Sequence, residues 1–418
     1  MSSFGRVGRV TRALRALLFA LPLLFLVSWS GDSHAYPWMI KHGFAKCASC
    51  HTDPMGGETL TGFGRVISDT TLSSRYDGGK DPRPLAELFF GVEEPRALSL
   101  GGSVRYMDAL YTLPEGNQKG KLRQFPMQAD VYGELRPLDR LRISGSIGAS
   151  RVPLNSPYAT AAQITKNNDG DQFNAISRTH WIGYDISDEF LVRAGRMNLP
   201  FGVRIPEHVM YVRKATRTDR ESAQQHGIAL SYSSGRIRGE VMGILGNYQI
   251  SPDKFRERGY SLYGEYLLGL RTAIGVSSLV TTAEDDRFLQ TGNPYLRQAH
   301  GLTARVAPLP ELAVLAEADL LLGTETPKTG ASISTTGYVG MVQADYEFIQ
   351  GFHGLVTGEV VDTGKPNSKG AVAIAGAGKP QFGAWFSVGW FFFTHFDARV
   401  DFVVRDEKSI QSQIHYYF

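Results

Sequence analysis

The sequence predicts an all-β fold, a transmembrane antiparallel β-barrel of about 16 strands, preceded by a short N-terminal segment that holds both cysteines. Three observations predict it. From Leu98 onward the chain alternates apolar and polar residues in runs of about ten. The connections between these runs are alternately short and long, as tight turns at one barrel rim and loops at the other require. Beyond the N-terminal region no stretch reaches about 18 uninterrupted apolar residues, so a crossing by helices is excluded.

Residues 1–35 read as a secretory signal peptide. Arg6, Arg9, Arg12 and Arg15 precede an apolar run from Ala16 to Trp29, and Ser33-His34-Ala35 offers a small-x-small site with cleavage after Ala35. This leader holds four of the 44 Lys and Arg residues and one of the 41 Asp and Glu residues, so the rest balances at 40 against 40. No net basic field is left to draw nucleic acid.

Residues 36–96 form the cysteine segment and a Gly- and Pro-punctuated linker. Both cysteines of the chain fall in Cys47-Ala48-Ser49-Cys50-His51, the spacing of covalent c-type haem attachment. Two thiols so spaced can add to the two vinyl groups of one porphyrin while the adjacent imidazole of His51 takes the iron. A zinc site would want a second cysteine pair, and a redox dithiol a βαβ setting; neither is present. For the sixth iron position His42 is the preferred candidate, with Met39 and Met55 as competitors and an open or water-bound iron as the remaining option.

The barrel is expected over residues 97–418. Strands should begin near 98, 122, 139, 173, 189, 225, 236, 256, 270, 294, 311, 334, 351, 379, 395 and 410. The clearest alternation runs from Phe396 to Phe402, with Phe396, Ala398, Val400 and Phe402 toward lipid and Asp397, Arg399 and Asp401 toward the lumen. In Leu312 to Leu322, Glu317 and Asp319 share the inward parity; in the earlier runs Gln128, Asp130, Glu134, Arg136, Arg142, Ser144 and Ser146 do so. Tight turns are expected at Pro137-Leu138-Asp139, Ser187-Asp188, Ser233-Ser234-Gly235 and Pro308-Leu309-Pro310. The terminal Ile414-His415-Tyr416-Tyr417-Phe418 ends on an aromatic with alternation intact, which resembles the C-terminal assembly signal of outer-membrane proteins.

A barrel of this size leaves a wide lumen unless something fills it. The cysteine segment is the expected filler. The third long connection, Leu199 to Gln224, carries Arg204, Arg213, Lys214, Arg217 and Arg220 against Glu207, Asp219 and Glu221, with His208 and Met210 as further contact candidates. It resembles the inward-folded constriction loop of general porins and reads either as a cationic constriction for anions or haem propionates or as a solvated outer loop. His353, His395 and His415 share a rim near the short turns, where the cysteine segment must enter, so each is a further candidate for the distal ligand.

The order of parts, with Tyr36-Pro37, Cys47-Ala48-Ser49-Cys50-His51, Phe63-Gly64-Arg65 and a terminal-Phe barrel, resembles the fused outer-membrane monohaem c-type cytochrome-porins, among them the Fe(II)-oxidising cytochromes. That resemblance implies electron transfer across the bacterial outer membrane by one covalent haem c, in either direction. The partners it implies are membrane lipid, a periplasmic electron-carrier cytochrome and an extracellular donor or acceptor such as Fe(II). If the protein is an enzyme, it is an oxidoreductase such as an Fe(II) oxidase. General porins are often trimers, so a homotrimer is the assembly considered. The alternative is a solute-conducting porin in which the haem segment is a plug, sensor or tether.

Overall fold

The computed structural model describes residues 36–74, 97–112, 121–152, 172–219, 223–247, 254–368, 370–374 and 376–417. The leader, the linker at 75–96, Arg220, Glu221 and Phe418 lie outside the described residues.

The alternating runs form one antiparallel sheet. Its strands are β1 (Leu98–Thr112), β2 (Lys121–Leu138), β3 (Leu141–Val152), β4 (Gln172–Ile176), β5 (His180–Asp185), β6 (Phe190–Met197), β7 (Gln225–Ser234) and β8 (Ile237–Gly246). Then come β9 (Arg258–Gly269), β10 (Thr272–Ala283), β11 (Tyr295–Val306), β12 (Leu312–Glu325), β13 (Ile333–Ile349), β14 (Phe352–Asp362), β15 (Gln381–Phe393), β16 (Phe396–Val404) and β17 (Lys408–Tyr417). Strands β4 and β5 both pair with β3 and are one stave interrupted at residues 177–179, so the ring has 16 staves. Pairing of β1 with β17, Tyr106 opposite Ile414, closes it. Every stave is hydrogen-bonded to a neighbour on each side, so the ring has no free edge stave, the condition for a sheet to cross hydrocarbon.

Each expected strand start agrees with an observed one to within three residues. The faces agree as well. Val400 and Phe402 are exposed on the outer wall while Asp397, Arg399 and Asp401 are buried within. Exposed Leu, Ile, Val and aromatic side chains cover the exterior, so the barrel turns its apolar face outward to lipid.

Many inward-facing charges are paired. Arg193 donates to Glu240 at 2.7 Å, Arg178 to Asp130 at 2.8 Å and Arg297 to Glu257 at 2.9 Å. Glu265 bridges Arg305, at 2.6 Å, and Arg238. Two segments fill the space these side chains surround. One is residues 36–74, with the one-turn helix α1 (Gly62–Ile67). The other is the connection between β6 and β7, which folds inward and carries α2 (Tyr211–Thr216).

That connection packs Val203, Ile205, Met210 and Val212 against the inner wall at Leu315, Val339, Met341, Val361, Trp385 and Val403. Its backbone is held from the far wall: Glu317 accepts from Val203 N at 2.7 Å and Glu359 from Tyr211 N at 2.8 Å. The segment 36–74 begins and ends at one rim. Tyr36 sits edge-on to Phe391 with ring centroids 5.2 Å apart, and Ser74 N donates to Phe391 O at 2.8 Å. Gly351 turns the adjacent short connection at φ 79°, and a Cβ there would meet Leu72 O and Ser74 N at 2.8 Å, so glycine admits the exiting chain.

The outward apolar face makes a distinguishing prediction. Val400→Arg, midway along β16, should destabilise the barrel by about 2–4 kcal/mol in a lipid-vesicle unfolding titration. An unchanged midpoint would mean that this face does not meet hydrocarbon.

Candidate functional site in the barrel lumen

The cysteine segment folds on itself before it meets the wall. A 3₁₀ turn over Cys47–Ser49 brings Cys50 N to 3.0 Å and His51 N to 2.9 Å from Cys47 O, so both thiols and the imidazole leave one turn. His51 bridges to Leu60 in the antiparallel sense, and Thr52 N donates to Thr59 O at 2.9 Å. Thr61 locks the next turn to the cysteines. Its N–H donates to Cys50 O at 3.0 Å, and its hydroxyl donates to Ser49 O at 2.8 Å and accepts from Gly64 N at 3.1 Å, capping α1. A Cβ on Gly64 would lie 2.2 Å from Cys50 O. The Phe63-Gly64-Arg65 motif therefore needs its glycine because the helix rests on the cysteine backbone.

Cys47, Cys50 and His51 open on one cavity of about 40 Å³, walled by Tyr36, Met39, Phe44, Leu60, Ile67 and Leu72. Lys46 and the wall residue Arg305 supply its cationic groups. Arg238 donates to Cys47 Sγ at 3.0 Å. Burial pushes the Cys50 thiol up to about 11, and the neighbouring Cys47 adds to the effect.

Around this cup the segment is tied to the ring on all sides. Lys41 Nζ is 2.5 Å from Asp345 and 3.2 Å from Glu347, on β13. Arg305 on β11 donates to Ala45 O at 2.7 Å. The reverse turn at residues 53–58 reaches the opposite wall. Asp53 pairs with Arg193 at 3.4 Å and with Arg204 of the inward loop at 3.0 Å. Glu58 accepts from Trp181 Nε1 at 3.0 Å and Ser144 Oγ at 3.1 Å. Burial first, then the charge of Asp53, pushes the Glu58 carboxyl up to about 7. Ser68 meets Tyr417 at 3.2 Å, and Thr394 donates to Asp69 at 2.9 Å.

The other expected site residues are placed as follows. Met39 lines the cysteine cavity. His42 is turned away, with Nε2 2.9 Å from Glu347. Met55 is buried and does not line that cavity. His353, His395 and His415 do lie at the rim where the segment enters, outside the cavity. His353 faces Asp345 at 3.2 Å, His415 faces Asp397 at 2.8 Å, and His395 packs on the Tyr417 ring. Met210 belongs to the core of the inward loop, whereas His208 lines a second space.

That second space is a vestibule of about 570 Å³ on the long-loop side, floored by the inward loop and walled by β11 to β15. Arg213, Lys214, Arg217, Arg297 and His208 line it against Asp219, with Tyr211, Phe288 and Tyr295 as its rings. The wall contacts made by Arg193, Glu265, Arg305, Asp345 and Trp181 were not among the expected functional residues. Their inward parity was visible in the sequence, but which buried charge meets which plug residue depends on register across the ring.

No protein-family profile matches the chain, and neither does any curated protein. Solved structures do match. The loop L8 deletion mutant of OmpT, an outer membrane protein of Vibrio cholerae, superposes with TM-score 0.55 at 10% identity, covering 77% of this chain and 99% of that one. The outer membrane channel DcaP of Acinetobacter baumannii gives TM-score 0.55 at 12% identity, covering 78% and 99%. The anion-selective porin from Comamonas acidovorans gives 0.51 at 12% identity, covering 77% and 97%. At such identities the likeness is one of architecture: the chain has the 16-stave fold of outer-membrane porins.

Proposed function

We propose that the protein is a porin-type barrel of the bacterial outer membrane whose N-terminal segment is a lumenal plug, so that solutes pass only when that segment shifts. The observation that carries this reading is the ring of contacts from residues 41–69 to staves on every side of the lumen. The inward loop and the plug meet at Asp53 and Arg204, which makes that pair the latch between them. Asp53→Asn should loosen the latch and raise single-channel conductance in planar bilayers, with an open fraction about tenfold higher for a loss of roughly 1.4 kcal/mol. A closed channel in both forms would count against gating by the plug.

Glu58 gives the gate a pH dependence of defined sign. Its carboxyl is pushed up to about 7 in the docked state, from an ordinary value of about 4.5. Docking is therefore favoured most below about pH 4.5 and loses that contribution as pH rises through about 7. Conductance should climb between pH 5 and 8, and Glu58→Gln should flatten the profile. A profile identical in the two proteins would remove Glu58 from the gate.

A second reading is favoured by the single cavity shared by Cys47, Cys50, His51 and Met39. Its apolar walls suit a macrocycle, and Lys46 suits a carboxylate. The residues thus fit a c-type haem with thioethers from Cys47 and Cys50 and His51 on the iron. Such a group supplies one-electron redox chemistry inside the barrel, between an outer partner such as Fe(II) and a periplasmic carrier. The chain's own part is to hold the cysteine turn with Thr61 and Gly64 and to exclude water with the apolar walls. Because His42 is engaged by Glu347, Met39 becomes the sixth-ligand candidate. Cys47→Ala or Cys50→Ala should abolish two-thioether attachment in a pyridine haemochrome spectrum. Met39→Ala should alter the oxidised spectrum and His42→Gln should leave it unchanged; the opposite pattern would restore His42.

A further inference from the structure

The vestibule above the inward loop has the makings of a ligand site, and its charges are not equivalent. Arg217 is held by Asp286 at 2.5 Å, Arg297 by Glu257 at 2.9 Å, and Arg213 by Glu317. These counter-charges do not line the vestibule. Each guanidinium is thus fixed in place and partly neutralised. Lys214 differs: it is exposed in the vestibule and makes no ion pair or hydrogen bond among the described residues. Beside it the loop presents Tyr211, whose ring is held by Arg405 4.2 Å away, while Phe288 carries Arg217 over its face at 4.4 Å. A cation without an ion pair among the described residues, next to rings braced by guanidinium groups, favours a ligand with an acid group and a flat apolar body. A hydrated metal cation would face the positive side chains with only Asp219 among the lining residues to receive it.

We infer that the vestibule binds small aromatic acids, aryl carboxylates or sulfonates, with Lys214 meeting the acid group and Tyr211 and Phe288 meeting the ring. This rests on the porin reading and names the class of solute that the outer side of the barrel admits. It is tested by isothermal titration calorimetry of the purified full chain with 4-hydroxybenzoate. Acetate and 4-hydroxybenzyl alcohol serve as the ring-free and charge-free comparators. The acid should bind at least tenfold more tightly than either. Lys214→Gln should cut its affinity about tenfold and Lys214→Glu further, while Tyr211→Leu should weaken the aromatic acid without affecting acetate. Equal binding of the neutral alcohol, or affinity unchanged in both Lys214 variants, would overturn the inference. Because calorimetry needs no flux, binding in a protein that never conducts would uphold the site and refute the transport reading instead. Lys214 is exposed and outside the strands, and retained heat-modifiable mobility on gels will establish that each variant is folded.

Discussion

Everything else in this molecule follows from closing β1 onto β17. Once the ring is shut, each stave has a hydrogen-bonded neighbour on both sides, and side chains are sorted by parity into those that meet lipid and those that do not. Sixteen staves also fix the diameter, and with it a difficulty. A lumen of that width takes in Arg193, Arg238, Arg305, Glu265, Asp345 and Glu359 along with water. Buried carboxylates outnumber buried guanidinium groups along the strands, and the wall neutralises part of this charge by pairing between nearby staves, as Glu265 does with Arg238 and Arg305. What it cannot do is fill its own volume.

The filling comes from two segments. The inward loop is anchored at both ends in strands and brings a hydrophobic core of its own, Val203, Ile205, Met210 and Val212, into the lumen. The plug packs Trp38, Ile40 and Leu72 against Phe391 and Tyr417 of the wall and adds charges that meet the wall and the inward loop. Lys41 inserts between Asp345 and Glu347, and Asp53 inserts between Arg193 and Arg204. Buried pairs of this sort add little net stability but penalise heavily any arrangement that separates them. That specifies one docked position for the plug. It also makes the plug the part of the lumen on which a change in a single charge has the largest effect.

The fold was legible in the sequence because a barrel repeats one rule many times. Alternation over Phe396 to Phe402, tight turns at Ser187-Asp188 and Pro308-Leu309-Pro310, and an unbroken parity to His415 each support the same register, and a single ambiguous run cannot overturn it. The site was legible only locally. Cys47, Cys50, His51 and the helix at Phe63-Gly64-Arg65 announce themselves by spacing, and the contacts that join them span fewer than twenty residues. Long-range choices were not. His42 and Met39 lie three residues apart on a tight turn, and only the position of Glu347 on β13 turns His42 outward and leaves Met39 facing the cysteines. A sequence carries no term for that, because the deciding residue is about three hundred positions away.

The topology of the plug constrains how it arrives. Tyr36 and Ser74 both lie at Phe391, and β1 begins at the same rim, since Leu98 pairs with Leu135 near the short turn after β2. The segment therefore enters as a doubled-back unit from one side and threads through nothing. Its internal bonds, Thr61 to Cys50 and Thr52 to Thr59, involve no wall residue, so the cup can form before the ring closes. Once it is docked, Cys50 is partly buried with its thiol held protonated, and Cys47 is held by Arg238 of the wall. A protonated, enclosed thiol is a poor nucleophile. In the docked plug, burial thus disfavours the Cys50 thiolate, while Arg238 fixes the position of Cys47 beside it.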